Sequence, residues 1–268
     1  MAPEGTPVEP PLVTPVGLPL PDVAPALPGR AVVLRPPRPA DVGVVARLGV
    51  DPDIERFFGV EGVVRRGLTS HEAQAALARL GGGEGTQGWV IEHRGRLVGL
   101  ARLFAVDAHA RHARYAVTLL SREWLGRGLG TEATRLVLTY AFGVLGLHHV
   151  TARVVDFNAR ALACLRACGF AEEGREREAV PFEGSWHDLI VTGVLDREFA
   201  ALAAARPECA MLSPLSRVVR SELVGAAGLP VHPHPEAPHG RAAVTVVDTH
   251  GHREDAVAVE HVTRPEGA

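Results

Sequence analysis

Residues 124–133 read WLGRGLGTEA, and the fold is decided by what flanks them. Downstream, Ala133, Leu136, Val137, Tyr140, Ala141 and Val144 recur at helical spacing, which predicts an amphipathic helix opening inside the stretch. Upstream, residues 113–120 read as a strand. Glycines at 126, 128 and 130 in a strand-loop-helix setting let the backbone approach a ligand, and successive N–H groups meet the positive end of the helix dipole. That site suits an anion. A pyrophosphate there gains about 1.5 to 3 kcal/mol per charge-assisted hydrogen bond before desolvation is subtracted, with Arg127 placed to add a direct contact. The dinucleotide fingerprint G-x-G-x-x-G has a different spacing and ends an early strand of a βαβ unit, whereas two antiparallel strands precede this loop. A P-loop needs Lys, and the chain has none. A glycine turn that only packs strand against helix stays open as the plain alternative.

Working outward, residues 31–34 are strand-like, residues 41–49 helical, and Thr69 with Glu72 forms a capping-box pattern ahead of Ala73, Ala76, Leu77 and Leu80. Residues 89–93 and 97–101 predict antiparallel strands around a turn at Arg94-Gly95. After the central helix, residues 150–155 are β-branched, and Asn158 caps a helix whose apolar face carries Ala161, Cys164, Leu165 and Cys168, ended by Gly169. Residues 170–180 and 187–195 close the series around Glu183-Gly184. The order implies a mixed α/β sheet. Residues 1–29 are rich in Pro and predict a disordered or partly extended leader; residues 30–200 form the main domain. Residues 201–268 are an extension with a helix near 215–224 and two alternating runs that suit a hairpin.

A chain of 268 residues, 46% hydrophobic and 22% charged, can bury a full core, and a net charge of −3 offers no drive toward nucleic acid. Three cysteines (Cys164, Cys168 and Cys209) fit a reducing compartment, with cytoplasm the default. No apolar run reaches the roughly 18 to 20 residues of a membrane span, and the first residues lack a signal-peptide pattern. His232, His234, His239, His250, His252 and His261 match no compact metal-ligand spacing, so no metal is expected. Cys164 and Cys168 fall on an apolar helical face and read as small buried hydrophobes rather than nucleophiles.

The blocks ARYAVTLL, GLGTEATRLVLTYAF, LGLHHVTARV, NARALACLRACGF and EGREREAVPFEGSWHDLIVTGVL, taken in order, resemble the GNAT superfamily of acetyltransferases over residues 30–199, in the branch of the ribosomal-protein N-terminal acetyltransferases. The loop is similar to the family's acetyl-CoA signature, Arg or Gln-x-x-Gly-x-Gly or Ala, with Leu125 in place of the first residue. The resemblance implies a GNAT fold, a mostly antiparallel sheet with splayed middle strands flanked by helices. It implies acetyl-CoA as co-substrate, held by Leu125, Gly126, Arg127, Gly128, Leu129, Gly130 and Thr131 at the diphosphate. Backbone at Leu119 and Leu120 would polarise the thioester carbonyl, and Asn158 would touch the pantetheine arm. The resemblance further implies an amine acceptor, a protein N-terminus ahead of polyamines or amino-sugar antibiotics, attacking directly without an enzyme-bound intermediate. A non-catalytic acyl-CoA sensor is the alternative of another class.

Relatives often carry a Tyr or Ser where this chain has Leu165 and Ala161, which leaves no general acid on that helix. For a base, Tyr115 occupies a position where relatives often have Glu; Asp188 and His112 are further candidates, and Asp51, Asp53, Glu55 and Glu61 could line an acidic acceptor groove. Trp89 reads as core. The role of residues 201–268 is open between covering the acceptor site, forming a homodimer and none.

Overall fold

The structure, a computed structural model, describes residues 20–205 save residue 82. Eight strands form one sheet in the order β1-β2-β3-β4-β5-β6-β8-β7: β1 Leu27–Pro28, β2 Val33–Arg35, β3 Gln87–His93, β4 Arg96–Asp107, β5 His112–Leu119, β6 His149–Val155, β7 Ala171–Phe182 and β8 Ser185–Leu195. Only β5 and β6 run parallel among the described pairs; every other neighbour is antiparallel. The helices are α1 Asp41–Leu48, α2 Pro52–Glu55, α3 Ser70–Gly81, α4 Leu129–Gly143, α5 Ala159–Arg166 and α6 Asp196–Ala205. No described helix is long and apolar enough to cross a membrane.

The two faces of the sheet bury different helices. On one face Ala133, Leu136, Val137, Tyr140 and Ala141 of α4 pack with Leu162 and Leu165 of α5, Phe199 of α6, and the inward residues Trp89, Ala101, Leu103 and Tyr115. The other face covers Val90, Leu97 and Leu100 with Val45 of α1 and Ala73, Leu77 and Leu80 of α3. The expected capping box is present at α3: Thr69 N donates to Glu72 Oε2 at 2.7 Å, and Glu72 N donates to Thr69 Oγ1 at 3.2 Å. A buried bidentate pair, Arg35 with Asp41 at 2.8 Å for both bonds, joins α1 to β2, and Glu92 accepts from Arg35 Nε at 2.7 Å on β3.

The end of the proline-rich stretch departs from the disordered or partly extended leader expected through residue 29. Ala24 and Leu27 are buried, and Leu27–Pro28 pairs with β2. Proline lacks a donor but keeps its carbonyl, and two donors on β3 need acceptors. Trp89 Nε1 donates to Pro25 O at 2.7 Å and Gln87 Nε2 to Pro21 O at 2.7 Å. Glu132 in the first turn of α4 then fastens the following residues, its Oε1 accepting from the amides of Arg30, Ala31 (2.8 Å) and Val32 (3.4 Å). We expect Glu132→Ala to lower the unfolding free energy by about 1 to 2 kcal/mol, since three amides lose a charged acceptor at a partly exposed site; denaturant melts at pH 7 measure it, and an unchanged midpoint would refute the clamp. The expected elements within 201–268 beyond residue 205, with Cys209 and the six histidines, lie outside the described residues.

Candidate active site

The parallel neighbours β5 and β6 pair only over His112–Arg114 and His149–Thr151, and then part. Beyond that point β6 keeps its other partner, β8, as far as Val155↔Leu189, so one edge of each strand opens on a gap. The ladder between β4 and β5 fixes what faces it. Leu120 N donates to Val98 O at 3.0 Å, and antiparallel pairs alternate between bonded and non-bonded, so Leu119, opposite Gly99, points its amide away from β4 and toward the gap. The same parity turns the Val117 amide that way.

A cleft of about 680 Å3 fills this gap and continues to the glycine loop. Gly126 and Gly128 have φ of 73° and 76°, the left-handed region, and a Cβ at either would meet no protein atom within 4 Å. The space beside these amides is therefore open. The first bond of α4 runs from Glu132 N to Gly128 O at 2.9 Å, so the amides of Leu129, Gly130 and Thr131 precede it and find no acceptor within the helix. Main-chain donors at a dipole's positive end suit a diphosphate, and a narrow apolar passage between strands suits the arm attached to it. The residues present thus fit acetyl-CoA without any help from Leu125.

Of the expected cofactor residues, Leu119, Leu125, Gly126, Gly128, Leu129, Gly130, Thr131 and Asn158 line the cleft. Arg127 does not; its guanidinium lies over the Trp124 ring, 5.5 Å from the centroid. Leu120 packs on the α1–α3 face, because neighbouring strand residues alternate sides, and its amide is spent on β4. Asn158 caps α5, its Oδ1 accepting from Ala161 N at 3.1 Å, while Nδ2 donates to Phe57 O at 3.0 Å. That second bond spans 101 residues and brings Ile54, Phe57 and Phe58 onto the cleft wall. No local signal in the sequence announced it.

The catalytic candidates need correction. Tyr115 lines the cleft, but its phenol is buried and donates to Thr134 Oγ1 at 3.1 Å; burial holds it well above its usual range, the wrong direction for a base. Asp188 lies off the cleft, on β8, where its carboxylate accepts from Glu178 N at 3.0 Å. His112 sits where β5 and β6 still pair, bonded to Thr151 Oγ1 at 3.1 Å. Trp89 is fully buried core. Cys168 is buried as expected, whereas Cys164 is half-buried on the cleft wall, accepts from Thr131 Oγ1 at 3.5 Å, and its thiol is drawn down to about 6, chiefly by its hydrogen bond with Cys168.

Among the proposed acidic residues, Asp51 pairs with Arg65 at 2.7 Å and Asp53 with Arg122 at 3.0 Å. Glu61 is exposed. Glu55 is 8% exposed, and among the described residues no donor pairs with its carboxyl group. Burial, then the charge of Asp51, raise it from 4.5 to about 7. No described cluster of His, Cys, Asp and Glu could hold a metal ion.

A mixed sheet that parts between two parallel strands beside a helix N-terminus defines an α/β protein with a cleft running from the sheet to that helix. The acetyltransferase (GNAT) domain family matches residues 31–171, more than half of the chain, and the chain belongs to that family. A Bacillus subtilis (strain 168) relative described as probable N-acetyltransferase YjcK is 36% identical over 101 residues, 38% of this chain and 56% of that protein. The [ribosomal protein uS5]-alanine N-acetyltransferase of Escherichia coli (strain K12) is 26% identical over 98 residues, 37% of this chain and 50% of that protein. The chain thus spans little more than half the length of these curated relatives. A crystal structure of spermidine N-acetyltransferase from Vibrio cholerae in complex with CoA and spermine shares the fold, with a TM-score of 0.54 and 22% identity over 63% of this chain and 98% of that one.

Proposed function

We propose that this protein transfers an acetyl group from acetyl-CoA to a primary amine, with a peptide or protein N-terminal α-amine as the preferred acceptor, by direct attack in a ternary complex. The observation that carries this reading is the cleft that joins the unpaired amides of the glycine loop to the Leu119 amide in the parted sheet. An amide at that point can stabilise the charge that grows on the thioester oxygen as the amine attacks.

The acceptor side supports an α-amine over a polyamine. A polycation calls for several free carboxylates, and of the four acids considered for an acceptor groove Asp51 and Asp53 already pair with Arg65 and Arg122. An α-amine with a pKa of about 8 is roughly a tenth neutral at pH 7, while an alkylamine near 10.4 is neutral about once in 2,500 molecules, a gap of about 3 kcal/mol. A single weak proton acceptor suffices for the former.

Incubating the full chain with acetyl-CoA and a panel of peptides with free N-termini, spermidine and amino sugars, and reading thiol release, tests the proposal. We expect kcat/KM for the best peptide to exceed that for spermidine by at least about tenfold, within the roughly 200-fold difference in neutral amine. Spermidine turning over faster would overturn the acceptor assignment. Saturable acetyl-CoA binding with no thiol release for any amine would instead favour a sensor.

A further inference from the structure

We propose that Glu55 receives the proton given up by the acceptor amine, through water held in a small cavity between α2, α3 and the end of β5. This rests on the transfer reading above and names the proton acceptor that reading lacks. The cavity is about 30 Å3, and one water needs roughly 10 to 15 Å3 of such volume. Glu55, Thr118, Asp51 and Arg79 bring polar side chains to its wall. Ile54 and Thr118 line both this cavity and the large cleft, so the two spaces share a wall there.

The shared wall lies at the end of the cleft beside Leu119. Leu119, whose amide faces the gap, lies between Thr118 and Leu120, which both turn toward the Glu55 cavity. Glycine loop and α5 sit on the α4 face of the sheet, while α2 follows α1 on the other, so an acceptor entering past Ile54 and Phe57 approaches from the side of Glu55. A carboxyl group buried to 8% exposure with no donor paired to it is costly to ionise, so it holds its proton to higher pH than an exposed one. The charged groups facing it are Asp51 at the start of α2, itself held by Arg65, and Arg79 of α3; β4, β5 and α1 present Leu100, Thr118, Leu120 and Val45, none of which titrates.

In the step, the amine nitrogen forms a bond to the thioester carbon, the carbon–sulfur bond breaks, and the CoA thiolate leaves. The nitrogen's proton passes through water to the Glu55 carboxylate and later to solvent. A carboxyl near 7 can accept at neutral pH and release again.

The test uses the full chain with acetyl-CoA and the best peptide acceptor, following kcat from pH 5.5 to 9. Wild type is expected to rise through about pH 7. Glu55→Gln is expected to lose about 100-fold in kcat and to lose that rise, with the affinity for acetyl-CoA unchanged within about twofold. Glu55→Asp should keep an intermediate rate and a displaced rise. Thermal melting supplies a readout independent of turnover. The folded carboxyl is raised from 4.5 to about 7, so the stability it confers is complete below about pH 4.5 and is lost as pH rises through 7. Glu55→Gln should therefore melt above wild type at pH 8.5, and match it much more closely at pH 5.5. A Gln variant with kcat within about threefold of wild type and the same pH profile overturns the proposal. So does one that melts lower at every pH while keeping the wild-type profile, which marks a structural carboxyl. Wild type that binds acetyl-CoA yet releases no thiol with any amine overturns the transfer reading, and this proposal with it.

Discussion

Gly128→Val is expected to weaken acetyl-CoA binding by about 100-fold or more. Two charge-assisted hydrogen bonds at about 1.5 kcal/mol each account for a loss of that order. Gly128 caps α4 at φ 76°, where a β-branched residue is strained, and the Cβ projects into open space beside the loop amides, the space a diphosphate would use. Strain alone predicts reduced stability and not a selective loss of affinity. Gly95 supplies the matched control, because it turns β3 into β4 with φ 74° and also has nothing within 4 Å of a built Cβ, yet lies away from the cleft. Gly95→Val should cost stability without changing the dissociation constant measured by calorimetry. Equal affinity for Gly128→Val and wild type would show that the loop does not grip the nucleotide end.

The difference between these two glycines marks how far the sequence could be read. Both appear in it as turn residues, and only the flanking strand and amphipathic helix set 126–130 apart from 94–95. The fold and the place of the glycine loop are legible because their signals are local: alternation in β3 to β5, a helical stripe from Ala133 to Val144, a capping box at Thr69 and Glu72. Asn158 was readable as a helix cap for the same reason. Its second bond to Phe57 O, which closes the cleft wall, joins segments 101 residues apart and leaves no periodic trace. Glu55 reads in the sequence only as one of four acids that could line an acceptor groove, and its four-residue helix is too short to show a face that would single it out as buried. The inserted segment around Pro21 and Pro25 escaped notice because proline content signals the absence of donors, whereas here its carbonyls are what β3 uses.

Leu119→Pro should reduce kcat by about 100- to 1,000-fold, the usual consequence of removing one donor to a developing oxyanion. Proline is normally destructive in a sheet because it deletes a ladder bond. At this position the deleted N–H faces the gap between β5 and β6, and the neighbouring bond from Leu120 N to Val98 O survives. Thr118, which precedes it, is already extended, as a residue before proline prefers. The side chain is a separate matter, since Leu119 also packs against the main core. Leu119→Ala removes that packing and keeps the amide, so it should lower the melting temperature while holding kcat within about threefold of wild type. Affinity for acetyl-CoA should change little in either variant, because a donor that acts mainly on the transition state shows in kcat rather than in ground-state binding. A folded Leu119→Pro protein that releases thiol at the wild-type rate would mean that charge on the thioester oxygen is met elsewhere, and the Leu119 amide would then be an incidental feature of a sheet that parts for other reasons.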